Sequence, residues 1–348
     1  MRTEWPVVLH RNFRETLERA FQMAVMAEPG DCVLLTGPSG VGKTTLLPTL
    51  IKRLVGPESD WPKGELRAIQ INCDRVAASS VTRSIAIRMN RALGNPFVAA
   101  KILTDQGDFG PYRVRVNEDD LRESARILAA LHRTMYGGFD GVENIIPKQR
   151  VTGTLRFDSI KSLALPHERK DIPPHLMRLI MSGHYSLLQY WDENAQLGRR
   201  VIEVPLYPYE YSAEDAGQWE LILEEVSSFY PLREGMSLRL WNDLLFDMSV
   251  GCVGHLKKRL DTALGLMQQR RGRFMELDDI LNAAPPKIKM GAIRRDVEGF
   301  RAYFESSLNE GLVAKVKART SGDEDTGVGG KKISRPGRKV GPRDKVGT

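Results

Sequence analysis

Short apolar runs alternate with amphipathic stretches over residues 13–204 of the chain. The clearest run, Cys32–Thr36, is apolar at almost every position, which is typical of a strand buried on both faces of a parallel sheet. Other runs predict strands at about 66–73, 135–139, 175–182 and 200–204. Alternation of such strands with helices predicts a doubly wound α/β fold with a parallel sheet flanked by helices.

The segments between the strands have the apolar spacing of helices. Leu17, Phe21 and Val25 share one face of a helix predicted at 13–27. Similar patterns predict helices at about 44–55, 79–93, 117–135 and 154–165. Residues 94–117 are rich in glycine and proline, and this segment is long enough to be a functional loop.

Strand signals stop at about Ala213, and the pattern from there on is helical. Helices are predicted at about 213–229, 237–248, 252–270, 276–283 and 290–309. Residues 319–348 are rich in Gly, Lys, Arg and Asp, a composition that predicts disorder of the isolated segment.

One glycine-rich segment carries the clearest chemistry. Residues 37–44 read Gly-Pro-Ser-Gly-Val-Gly-Lys-Thr, a complete phosphate-binding loop between a predicted strand and a predicted helix. Its backbone N–H groups and the helix N-terminus attract phosphate, Lys43 reaches the β- and γ-phosphates, and the Thr44 hydroxyl binds Mg²⁺. ATP and Mg²⁺ are therefore the predicted cofactors. The predicted nucleotide-binding residues of this segment are Gly37, Pro38, Ser39, Gly40, Val41, Gly42, Lys43, Thr44 and Thr45.

A nucleotide-binding sheet followed by a helical domain is the layout of AAA+ ATPases. We therefore predict a nucleotide-binding αβα domain at 1–212, a helical lid domain at 213–310 and a basic tail at 311–348.

Composition narrows the class of protein further. The 348 residues contain 41% hydrophobic residues, enough for a real core, and no apolar run long enough to span a membrane. Three scattered cysteines without metal spacing, and an N-terminus without the pattern of a signal peptide, predict a cytoplasmic protein. The net charge of +7 is concentrated in residues 331–348, so the tail is either a solubilising end or an arm for nucleic acid or an acidic partner.

Three stretches beyond the phosphate-binding loop resemble one family, the TnsC/TniB group of AAA+ ATPases that regulate bacterial DNA transposition. Leu155–Ala164 resembles the family's leucine-aspartate…lysine-serine-leucine-alanine helix. Ser182–Leu188, followed by Gln196–Arg200, resembles the end of the sensor-one strand and the next Gln-Leu-x-Arg-Arg box. Ser249–Lys257 resembles the Gly-Cys-Val-Gly-x-Leu-Lys turn of the lid.

The resemblance implies an ATP-dependent homo-oligomer, a ring or a helical filament, that assembles on double-stranded DNA. It also implies recruitment of transposase subunits, often after a target-selection protein has marked the site, and in some members a CRISPR-associated one. The phosphate-binding loop alone implies only nucleotide binding.

The acidic residues that the family places after an apolar strand differ in this chain. The family has an Asp-Glu pair, whereas here Asp140 is followed by Gly141 and the next carboxylate is Glu143. Asp140 is the predicted Mg²⁺-side carboxylate, and Glu143 is the candidate for orienting the attacking water. Alternatively, both are turn residues beside the neighbouring glycines. Because the pair is missing, slow regulatory hydrolysis is expected.

Four further positions are candidates through the resemblance. His184 falls at the sensor-one position, where it would touch the γ-phosphate unless it is only a structural histidine. Either Arg199 or Arg200 would act as an arginine finger on a neighbouring subunit's nucleotide, unless the two are a solvated basic pair. Lys257 would contact the nucleotide, or would belong to an exposed face of its helix.

A protein that surrounds duplex DNA without reading its sequence needs polar and basic side chains aimed at phosphates. The candidates after the second strand and in the irregular loop are Arg75, Thr82, Arg83, Arg113 and Arg115. The near-neutral body predicts modest affinity per subunit, which oligomerisation would strengthen.

Two other functions use the same phosphate-binding loop. A processive AAA+ ATPase, such as a helicase loader or a clamp-loader-like protein, needs efficient turnover, which the missing Asp-Glu pair disfavours. A small-molecule kinase is usually compact and needs no long helical lid.

Overall fold

The computed structural model describes residues 7–73, 81–96, 118–144, 162, 170–172, 177–188 and 200–305. Residues 1–301 form one compact unit and residues 302–348 form a second, of which only the last turn of a helix is described.

Five parallel strands form the sheet of the first unit, as the apolar runs predict. They are β1 (Cys32–Gly37), β2 (Ala68–Asn72), β3 (Tyr136–Asp140), β4 (Arg178–His184) and β5 (Val201–Pro205). The strand order is β2-β3-β4-β1-β5, so β1 lies between β4 and β5, and every residue of β1 is buried. The prediction of a parallel α/β fold is confirmed.

Helices follow the sheet strands as the periodicity predicts, with ends shifted by a few residues. They are α1 (Arg11–Met26), α2 (Lys43–Val55), α3 (Val81–Ala92) and α4 (Glu118–Leu131). Helix α2 is continuous through Pro48. The helix predicted at 154–165 and most of the loop predicted at 94–117 lie outside the described residues.

From Ala213 to Glu305 the structure is helical, again as predicted. The helices are α5 (Ala213–Ser227), α6 (Asn242–Ser249), α7 (Val253–Gln269), α8 (Leu277–Asn282) and α9 (Lys287–Glu305). A short 3₁₀ helix, Leu238–Trp241, precedes α6. These helices surround a core of their own that includes Trp219 and Leu260. The boundaries at 212 and 310 stay predictions.

The core of the sheet continues into the helical part of the chain. Leu35 and Leu47 pack in the same apolar cluster as Cys252 and Val297, which belong to the segment before α7 and to α9. This shared core places the helices α7 and α9 beside the end of β1, where the phosphate-binding loop begins.

Two further observations concern the cysteines and the helices. Cys32, Cys73 and Cys252 are buried, and none of these three described thiols forms a disulfide. Across the described ranges, no helix has both the length and the apolar character needed to cross a bilayer.

Candidate nucleotide site

The predicted site residues meet at the carboxyl edge of the sheet. Gly37, the last residue of β1, pairs in register with His184 at the end of β4. Asp140, the last residue of β3, pairs with Ser182 of β4. Because parallel strands end at one edge, the phosphate-binding loop and Asp140 lie on either side of β4.

The loop has the backbone shape that an anion requires. Gly42 has a φ of 122°, a conformation that L side chains rarely adopt, and α2 begins at the next residue. Among the described residues, the backbone N–H groups of Gly42, Lys43 and Thr44 donate to no protein acceptor. A helix N-terminus with free N–H groups fits a phosphate group, which would accept those hydrogen bonds.

Lys43 lies folded onto its own loop. Its Nζ donates to the carbonyl oxygens of Gly37 at 3.0 Å and Pro38 at 2.8 Å. Burial lowers the pKa of Lys43, although the nearby carboxylates of Glu143 and Asp296 oppose that shift. An ammonium held among carbonyl oxygens is available to move onto the phosphates of a bound nucleotide.

Asp140 and Glu143 are both held against β4. The Ser182 hydroxyl donates a hydrogen bond to Asp140 Oδ1. Glu143, in a short 3₁₀ helix after β3, accepts the backbone N–H of His184 through Oε2 at 3.2 Å. Oxygen ligands suit Mg²⁺, and Asp140 with the Thr44 hydroxyl would hold it beside the phosphates.

His184 contacts a residue that the sequence analysis missed. Its Nδ1 accepts the backbone N–H of Ser186 at 3.2 Å, which leaves the proton on Nε2. Nε2 donates to Asp296 Oδ1 at 2.6 Å, and Asp296 Oδ2 accepts the backbone N–H of Ser39 at 2.8 Å. Asp296 of α9 therefore connects the end of β4 with the phosphate-binding loop.

The start of α7 lies directly on the same loop. Gly254 donates its backbone N–H to the Gly40 carbonyl oxygen at 2.8 Å. The His255 ring fills the space in which a Cβ on Gly40 would lie, at 2.8–2.9 Å. Burial lowers the pKa of His255, and the neighbouring Arg259 and Lys258 lower it further. A neutral ring thus packs on the loop.

Of the remaining predicted residues, one has a described ion-pair partner, two are exposed, and the others are not described. Lys257 forms an ion pair with Asp261, one turn further along α7, at 2.6 Å. Arg200 is exposed just before β5, and Arg83 is exposed on α3. Four other candidates lie outside the described residues: Arg75, Arg113, Arg115 and Arg199. The stretches 155–161, 163–164 and 196–199, which carry part of the resemblance, also lie outside them. Thr82 lies on α3, but its side chain is not described.

No sequence signal could have placed Asp296 or His255 in the site. Asp296 is 257 positions from Ser39 along the chain, and it lies in a helix of mixed charges without a motif. Only the packing of α7 and α9 over the loop brings these side chains to it. The roles of all the site residues stay predictions.

Comparison with known proteins agrees with the fold. Residues 10–140 match the family model of the AAA ATPase domain. A comparison with curated protein sequences finds no match. The solved structure of the ORC2 protein of Aeropyrum pernix with ADPNP and ADP is 14% identical with a TM-score of 0.55, and the alignment covers 82% of this chain and 69% of that one. Its ADP form gives 15% identity, a TM-score of 0.55 and coverage of 82% and 70%.

At these identities the structural likeness concerns the fold alone. With the phosphate-binding loop and the match of residues 10–140 to the AAA ATPase domain, the enzymatic class of the chain is that of an ATPase, on a parallel α/β fold.

Proposed function

We propose that this protein is an ATP-dependent, oligomeric DNA-binding regulator of transposition. In this proposal it assembles on target duplex DNA, recruits transposase subunits and connects them to a target-selection protein. One observation carries the proposal: the segment Gly251–Lys257, on which the resemblance to the TnsC/TniB group partly depends, packs against the phosphate-binding loop through Gly254 and Gly40.

This contact supports a role for nucleotide as a switch. Two backbones that approach this closely cannot move independently, because Gly40 lies in the loop that would hold the phosphates. A change in the loop on nucleotide binding would therefore be transmitted to α7. Helix α7 runs through the core of the helical region, so the whole region would respond.

Slow hydrolysis would suit such a switch. Asp140 is followed by Gly141, which has a φ of 72°, so the position of the family's glutamate is a turn glycine. Glu143 lies two residues further on and is tied to the His184 backbone. With the water-orienting carboxylate displaced to Glu143 in this way, hydrolysis would be slow, and bound ATP would persist long enough for subunits to assemble.

DNA binding in this proposal comes from many weak contacts. Arg83 is exposed on α3, the helix that follows β2, and would face phosphates along the duplex. A basic residue on each subunit contributes little alone. Assembly multiplies the contacts, and nucleotide at the subunit boundary, sensed by Arg199 or Arg200, would control that assembly.

Electron microscopy with linear duplex DNA and a slowly hydrolysed ATP analogue tests this proposal. We expect regular coats or rings on the DNA with the analogue and bare DNA without it. The Lys43→Ala variant, which would not hold the nucleotide, is the matched control and should leave the DNA bare in both cases. Monomers with the analogue present would contradict the proposal.

Glu143 favours a second candidate, a processive AAA+ ATPase such as a helicase loader or a clamp-loader-like protein. Its carboxylate is near enough to Lys43 to oppose the shift in the lysine's pKa, so it lies within the site. Steady-state turnover separates the two: a processive enzyme would hydrolyse on the order of 1–100 ATP per second, within the range of typical enzymes.

A further inference from the structure

Asp296 lies where an anion from the nucleotide would be expected. Its Oδ2 accepts the Ser39 N–H of the phosphate-binding loop at 2.8 Å. Its Oδ1 accepts the proton of His184 Nε2 at 2.6 Å. The sequence predicts both donors as contacts of the nucleotide phosphates, so one carboxylate uses two hydrogen bonds that phosphate oxygens would need.

The carboxylate in this position is charged. Partial burial of Asp296 favours the neutral acid, but the hydrogen bonds from His184 and Ser39 outweigh it and keep the pKa below its ordinary value. Only 21% of the side chain is exposed, so water screens its charge weakly. A phosphate group brought next to this carboxylate would meet a like charge.

The rest of α9 is anchored on both sides of Asp296. Phe300 packs edge-to-face on Tyr185 and Tyr207, with ring centroids 5.6 and 5.2 Å apart. Arg294 pairs with Asp247 at 2.5 Å, which ties the helix to α6. Because the helix is held by these contacts, the position of Asp296 on the loop is a property of how α9 packs.

We propose that Asp296 is a built-in competitor of the nucleotide phosphates, an autoinhibitory contact that phosphate binding must displace. This inference rests on the nucleotide site of the proposed function and adds a mechanism to it. When the phosphates take the Ser39 N–H and the His184 Nε2–H, Asp296 loses both partners. Helix α9 then loses its polar contact with the loop. Nucleotide binding would therefore affect the helical region through Asp296 as well as through Gly254.

Nucleotide affinity of the full-length chain tests the inference. The Asp296→Asn variant removes the charge and keeps the size of the side chain, while Glu298→Gln makes the same change at an exposed position on the same helix. With a fluorescent ATP analogue, we expect Asp296→Asn to bind about tenfold more tightly than the wild type, within the usual range of coupling between sites. Glu298→Gln should bind like the wild type.

Equal or weaker binding by Asp296→Asn would overturn the inference, because a residue that helps to hold the nucleotide would lose affinity when changed. If neither the wild type nor any variant bound the analogue, the assignment of the nucleotide site would be wrong, and the inference would fail with it. Melting curves show whether each variant is folded. If Asp296→Asn folds poorly, Asp296→Ala replaces it in the same binding experiment.

Hydrogen exchange gives a second readout that does not depend on affinity. In the wild type, nucleotide should speed amide exchange in α9 around Asp296, because the helix loses its contact with the loop. In Asp296→Asn the same amides should exchange fast without nucleotide. Identical exchange in the wild type with and without bound nucleotide would contradict the displacement.

Discussion

Gly254 and Gly40 meet backbone to backbone: the N–H of Gly254 donates to the carbonyl oxygen of Gly40 at 2.8 Å, although the two residues are far apart in the chain. A Cβ on Gly254 would lie 2.6 Å from that oxygen, so only glycine permits the contact. The pair joins the first turn of α7 to the phosphate-binding loop. The loop and the helical region are therefore expected to move together.

The Gly254→Ala substitution should therefore cost stability. The added methyl group must push the helix off the loop, and we expect a loss of about 1–3 kcal/mol in the free energy of unfolding, as for other overpacked sites. Chemical denaturation measures this loss.

Gly265, further along α7, is the control, because a Cβ there would have no neighbour within 4 Å. Gly265→Ala should gain roughly 0.5–1 kcal/mol, since alanine loses less backbone entropy than glycine in a helix. If both variants are stabilised alike, the loop and α7 do not pack as described.

Lys43→Ala should remove nucleotide binding without unfolding the protein. Among the described residues, its Nζ donates hydrogen bonds to carbonyl oxygens of its own loop, at 2.8–3.0 Å, and belongs to no apolar cluster, so its loss should leave the core intact. We expect ATP affinity to fall by roughly 100-fold or more, or about 2.7 kcal/mol. Isothermal titration calorimetry measures this, with Lys52→Ala, an exposed change on the same helix, as control. Unchanged affinity in Lys43→Ala would place the nucleotide elsewhere.

Glu143→Gln separates hydrolysis from binding. Glutamine still accepts the His184 N–H, so the local structure should persist, but it cannot act as a base toward water. ATP turnover should fall by roughly 100-fold, the low end for loss of a general base, while ATP affinity stays near that of the wild type. A phosphate-release assay with matched binding curves provides the measurement. Turnover equal to that of the wild type would show that Glu143 is a turn residue.

The pair of Asp279 and Arg270 should make the helical region sensitive to acid. Arg270 donates to both carboxylate oxygens, at 2.8 and 2.6 Å, and this hydrogen bonding holds the pKa of Asp279 below its ordinary value. A depressed pKa in the folded state gives stability that is present above the unfolded carboxyl pKa and is lost as the pH falls through the folded value.

Asp279→Asn should therefore be less stable than the wild type by about 1–3 kcal/mol at pH 7, and the difference should shrink below about pH 4. Urea unfolding at several pH values checks this. Asp278→Asn changes the exposed neighbour and should have little effect at any pH. If the difference in unfolding free energy between Asp279→Asn and the wild type did not change with pH, the charge of Asp279 would not be the cause of that difference.

The sheet and the loop could be predicted from the sequence because their signals are local. The Cys32–Thr36 run fixes a buried strand, and the glycines after it allow only a few backbone shapes. Since β3 and β4 end at the same edge, the meeting of Asp140 with Ser182 follows once the strands are known.

The contacts of the helical region with the loop could not be predicted. Asp296 and His255 reach the site only because α7 and α9 share a core with the sheet, through Cys252 and Val297. Packing of this kind depends on the volumes and shapes of distant residues, which no short motif records. Lys257 differs from these two residues, because its ion pair with Asp261 joins positions i and i+4 of one helix and so depends on local spacing alone.

Sedimentation velocity of the full-length protein with a short DNA duplex tests the central claim most directly. The account predicts that the wild type sediments as a large complex on the duplex only with a slowly hydrolysed ATP analogue, and that Lys43→Ala stays dispersed under all conditions. A wild type that is equally dispersed with and without the analogue would contradict the account.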